Sequence, residues 1–245
     1  MTCRAVPRGR AGPRGPVSSG ALALALVAAA WAPVHHAMAE TPADTAATVC
    51  AGSGLRVQGS ASATERADVC RGALAALTFL RSQGLTREPE LTIEVTARLP
   101  EEVGVSAAGC FIQARNRAYV LSWAEFRRKR TWFGVPVSRD LYRALAAHET
   151  AHGVAGCHFT APDPSIQAKE YVAYVAMFST LPAALRNQAL RAMPGTGFSD
   201  VGRINTTVYL FDPMRFGANA WRHYRSLPDG PAFLQQVMRG EVLAD

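Results

Sequence analysis

The chain has 245 residues, 49% apolar and 18% charged, with a formal net charge of +7. Arg4, Arg8, Arg10 and Arg14 all precede the first acidic residue, Glu40; beyond that leader 22 basic residues face 19 acidic ones, a net charge of +3. That excess is too small for a nucleic-acid-binding domain, and no later segment is apolar over the roughly 20 residues that a membrane-spanning helix needs.

Residues 1–39 have the pattern of a secretory signal. The four arginines make a positive start, Ala21 to Val34 is an apolar stretch broken by Pro33, and Ala37-Met38-Ala39 is a small-x-small cleavage site before Glu40. The expected product is residues 40–245, a single domain without stable membrane insertion, exported to a bacterial periplasm or secreted. Four cysteines remain after the leader, Cys50, Cys70, Cys110 and Cys157. An even count in an exported chain predicts disulfides. Of the three possible connectivities the expected one is Cys50 with Cys70 and Cys110 with Cys157.

Ser62-Ala63-Thr64-Glu65 has the spacing of a capping box, and apolar residues then recur at helical intervals through Leu80 until Gly84. "LTIEVTA", residues 91–97, alternates like a half-buried strand. "CFIQA" and "AYVLSW" flank Arg115-Asn116-Arg117 as the arms of a hairpin. The basic run Arg127 to Arg130 is expected on a solvated helix face or turn. From Ser138 a capped helix is predicted, with Leu141, Leu145, His148 and His152 on its recurring positions and Gly153 and Gly156 weakening its end. A second helix is predicted from Ser165 to about Thr180, and Pro182 suits the start of a third. "INTTVYLF", residues 204–211, reads equally as strand or buried helix. Asp212-Pro213 caps another helix, and a last short one follows Pro231. The fold class predicted is α+β, with a small, mainly antiparallel sheet followed by helices.

"HETAHGVAGCH", residues 148–158, holds three of the six histidines. On a helix, residues four apart share a face, so His148 and His152 can converge on one ion with Glu149 beside it. His-Glu-x-x-His supplies two imidazoles for zinc and a carboxylate as general base. Two residues compete as third protein ligand. His158 lies six residues after His152, and Glu170 lies eighteen after it, within the apolar "IQAKEYVAYVAMF", where a carboxylate is costly to bury without a partner. Cys157 is a remote third candidate.

On the His148 to His152 motif the chain resembles the zincin metallopeptidases, loosely over residues 91–180 as strand, strand, helix, helix. The metzincin branch takes a histidine at the position of His158, but also needs a glycine where Ala155 stands, with Gly156 displaced by one. The gluzincin branch takes a glutamate from the following helix, which favours Glu170; the acidic neighbour sometimes found on that helix has no counterpart at Ala173 or Tyr174. The resemblance implies a Zn2+ cofactor, a peptide or protein substrate, Glu149 as general base and a donor to the oxyanion from the C-terminal part. His223 is the first choice for that donor, with Tyr224, Tyr209 and Arg203 behind it. An extended substrate could pair with an exposed strand of the hairpin. The alternative expectation is a zincin-fold envelope or binding module that keeps the metal without significant turnover.

Overall fold

The structure, a computed structural model, describes residues 47–104 and 107–244. The expected export signal and its cleavage site lie outside the described residues. The architecture is α+β, a five-stranded sheet with helices packed on it and a helical C-terminal part. The first strands are β1 (Thr48–Val49) and β2 (Arg56–Gly59), antiparallel to each other. The chain then crosses over through α1 (Ala63–Ser82) to β3 (Thr92–Thr96), which therefore runs parallel to β2. The hairpin of β4 (Gly109–Ile112) and β5 (Arg117–Leu121) adds β5 parallel to β3 and leaves β4 at the sheet edge. Strand order is β1-β2-β3-β5-β4.

The expectation of a mainly antiparallel sheet is thus corrected. The two central pairings are parallel: the α1 crossover returns the chain to the same end of the sheet before β3, and β4, running back at the edge, does the same before β5. The hairpin turn is a 3-10 turn, Gln113–Arg115, closed by Asn116 in the left-handed region (φ 44°).

The predicted helix starts hold where a side chain can satisfy the free backbone donors. Ser62 and Glu65 form the reciprocal capping box of α1. After α2 (Trp123–Arg128), whose end carries the basic run into a turn at Arg130, a small hairpin of β6 (Thr131–Trp132) and β7 (Val135–Pro136) leads to Ser138. Ser138 caps α3 (Arg139–Gly156) and Ser165 caps α4 (Ile166–Thr180). Gly153 does not end α3; the helix continues to Gly156, with Leu91 and Pro89 packed against Gly153. α5 (Ala183–Ala192) follows Pro182, and "INTTVYLF" resolves to the short helix α6 (Thr206–Phe211). Asp212 caps α7 (Pro213–Ser226), and α8 (Gly230–Arg239) closes the domain. Among the described residues no helix is long and apolar enough to cross a membrane.

α3 is the central element, packed on α1, on α4 and on the inner face of β4 and β5. Its contact with α1 is close: a methyl group at Gly72 would fall 2.0 Å from the Arg143 carbonyl oxygen. Asp68, almost wholly buried on α1, binds Arg139 and Arg143 of α3 as well as Arg71. Gly72→Ala must therefore push α3 away from α1, and is expected to lower the free energy of unfolding by about 1–3 kcal/mol in urea titration, the range for overpacked cores. An unchanged midpoint would show that the two helices separate at no cost.

Cys50 and Cys70 form a disulfide joining the start of the sheet to α1. Cys110 and Cys157 do not pair, which corrects the second expected bridge. The reason is strand alternation. Gly109 and Phe111 face α3, so Cys110 between them points to the other side of the sheet, toward Tyr119 and Arg115, while Cys157 caps α3.

Candidate metal centre

α3 turns His148 and His152, one turn apart, toward α4, and α4 answers with Glu170 in its second turn. The donor atoms of the three residues lie within 4.8 Å of one another. His148 Nε2 is 3.2 Å from His152 Nε2 and 3.5 Å from Glu170 Oε2, and His152 Nε2 is 3.7 Å from Glu170 Oε1. All three side chains are buried, Glu170 completely.

Burial pushes both imidazoles below the ordinary histidine range, His152 down to about 3, against the pull of Glu170. They are neutral at pH 7, the form that ligates metals. Burial works to raise the pKa of Glu170, while the facing imidazoles, with a hydrogen bond from His148, work to lower it. At most one proton fits between the facing Nε2 atoms, so imidazole lone pairs and a carboxylate converge on a common point. Such a convergence of buried acceptors is costly without a cation. Two imidazoles and a carboxylate are also the donor set of one type of catalytic zinc site, so these residues fit the ion.

Glu149, one residue along α3, turns instead toward the edge strand. A methyl group at Gly109 would sit 2.7 Å from its Oε1 and 2.8 Å from the Tyr119 carbonyl oxygen, so only glycine lets the strand and this carboxylate approach so closely. Glu149, His148, Trp132, Tyr174 and Met214 line a cavity of about 40 Å³. Phe111, two residues along β4, lies nearly parallel to the His152 ring at 6.4 Å between centroids.

Two tyrosines complete the surroundings. Tyr174, one turn after Glu170 on α4, places its ring 4.5 Å from that of His148. Tyr209 of α6 is buried beside Glu170; burial first, then the carboxylate, lifts its pKa far above the phenol range, so it keeps its proton. The spacing from Glu170 to Tyr174 is legible as one helical face. Tyr209 reaches the cluster only through the chain path of α6, which no local pattern in the sequence signals.

His158 stays outside the cluster. Its Nε2 accepts from the Arg87 backbone N–H at 3.0 Å, so Nδ1 carries the proton and donates to the Val154 carbonyl at 2.9 Å. Both nitrogens are thereby committed to backbone, and the side chain ties the end of α3 to the segment before β3. Cys157, at the same end, is likewise not among the clustered donors.

The structure does not bring His223 to the cluster either, which corrects its expected position. Its Nδ1 is 2.7 Å from the Tyr171 hydroxyl, and its ring packs on Tyr171 and Phe233. Met214, which lines the space above Glu149, lies nine residues earlier on α7, about 13 Å along the helix axis. Tyr224 bonds Gln83 at the C-terminal end of α1, and Arg203 pairs with Asp200 at the surface.

No curated protein and no solved structure matches the chain. Residues 55–245, which include every residue of the cluster, match a family of unknown function, DUF6639, and the chain belongs to that family.

Proposed function

We propose that this protein is an exported zinc-dependent hydrolase of zincin-like, gluzincin-type architecture, a metallopeptidase that cleaves peptide bonds. The observation that carries the reading is the convergence of His148, His152 and Glu170, with Glu149 beside His148 on the wall of one cavity and against the sheet edge. When bound, zinc supplies Lewis acidity, which acidifies a water and polarises a carbonyl. Glu149 takes the water's proton and passes it to the leaving amine, the work of a general base and then a general acid. Tyr209, neutral and beside the cluster, replaces His223 as the donor to developing negative charge. β4, at the edge of the sheet among the described residues, offers backbone groups to an extended substrate.

Metal content of residues 40–245 tests the first half of this reading. Elemental analysis is expected to find about one zinc per chain, lost in the His148→Ala/His152→Ala double variant. No zinc in either protein after incubation with the ion overturns the reading.

One observation favours a second reading, a zincin-fold envelope or binding module with no significant turnover. Glu149 is almost wholly buried, and the space beside it is only about 40 Å³. Stoichiometric zinc without hydrolysis of any peptide, in a protein whose Glu149→Gln variant behaves identically, selects that module over the enzyme.

A further inference from the structure

Gly109 and Phe111 succeed one another along the side of β4 that faces α3, and Gln113 begins the turn that follows. Gly109 meets Glu149, Phe111 meets His152, and Gln113 stands at a second cavity beyond them. This cavity, about 100 Å³ and partly open to solvent, shares His152 with the candidate metal centre. Phe111, Ala155 and Phe159 give it apolar walls, and Lys169 is the one formally charged residue lining it. Lys169 lines the cavity beside His152 and forms no ion pair among the described residues. Its neighbour Glu170 is turned the other way, into the cluster, by the helical rotation of about 100° per residue.

An ammonium with no ion pair among the described residues, at the wall of an apolar cavity, favours a ligand that brings an apolar stem and a carboxylate. Such a charge pair is stronger there than on an open surface, because the walls keep water from part of it. A peptide lying along β4 past Glu149 would deliver one side chain into this space, since alternate residues of an extended chain face the same way.

We propose that this cavity is a subsite for an acidic side chain of the substrate, with Lys169 as its counter-charge and Phe111 and Phe159 as its walls. The inference rests on the peptidase reading for the nature of its ligand, and it adds the substrate class: peptides with Asp or Glu close to the cleaved bond.

Peptide binding to the zinc-loaded Glu149→Gln protein, residues 40–245, measures this without turnover. Blocked octapeptides of alanine, labelled for fluorescence anisotropy, carry a single Asp, Asn or Lys moved through each position in turn. The expected result is one position at which Asp binds about tenfold more tightly than Asn. That advantage should vanish on adding Lys169→Met and invert toward the Lys peptide on adding Lys169→Glu, which a merely structural role for Lys169 would not produce. No Asp preference at any position, or one that survives Lys169→Met, overturns the subsite. The same peptides given to the parent protein separate the two readings. Cleavage without acidic selectivity removes the subsite and keeps the peptidase, whereas Asp-selective binding without cleavage keeps the subsite and removes the peptidase.

Discussion

Glu149→Gln is expected to retain zinc at the parent's stoichiometry and to lower peptide hydrolysis by about 10²–10⁴-fold, the range for loss of a general base. The geometry makes the two effects separable. Glu149 is not among the clustered donors, and it turns toward Gly109 while His148, His152 and Glu170 face one another. Gln has the same shape and fills the space against Gly109, so packing is preserved, but an amide cannot take up the water's proton. Turnover is read by mass spectrometry on a peptide mixture beside the zinc content of both proteins. Undiminished hydrolysis removes Glu149 from the mechanism. Loss of zinc together with activity would mean that its charge helps build the site itself.

The parts of this site legible in the sequence are those written in one helix. A spacing of four between His148 and His152, and of four between Glu170 and Tyr174, is enough to put each pair on one face. The caps Ser62, Ser138, Ser165 and Asp212 were likewise readable, because a side-chain oxygen three residues before a free backbone donor is a local event. What the sequence hid is long-range. β1 and β2 are two and four residues long and carry too little alternation to announce strands, and their absence from the prediction concealed the parallel centre of the sheet. His223 ranked ahead of Tyr209 as donor on the family resemblance alone; only the packing of α6 and α7 on α4 reverses that order. The rejected bridge is different, because it was decidable locally. Once Phe111 is recognised as facing the core helix, alternation sends Cys110 to the other side of the sheet.

Glu170→Gln is expected to weaken zinc binding by at least about 100-fold, more than loss of an outer hydrogen-bond partner usually costs, while His158→Gln leaves it within about twofold. The contrast follows from the donors already in use: Glu170 converges with the two imidazoles, whereas His158 has both nitrogens on backbone. His158→Gln should instead lower stability by about 1–3 kcal/mol, through the Arg87 and Val154 groups it leaves unpaired. Reversal of the two results would make His158 the third ligand. The burial of the imidazoles adds a pH test. An exposed histidine pair with ordinary pKa values near 6.5 would lose about tenfold in zinc affinity between pH 7 and pH 6 by proton competition. His148 and His152 are held below that range, so little competition arises, and calorimetric titration should find the two affinities within about threefold. The same shift acts on the zinc-free fold with a definite sign. Between the unfolded value near 6.5 and the lower folded values, the unfolded chain binds more protons, so stability is full above pH 6.5 and falls as the pH drops below it, by up to about 1.4 kcal/mol per pH unit for each imidazole. Zinc binds only the neutral, folded arrangement, so adding it should raise the melting temperature at pH 6 and at pH 7 alike. A zinc affinity that collapses at pH 6 would place the two imidazoles in water, and the buried cluster on which the assignment rests would be wrong.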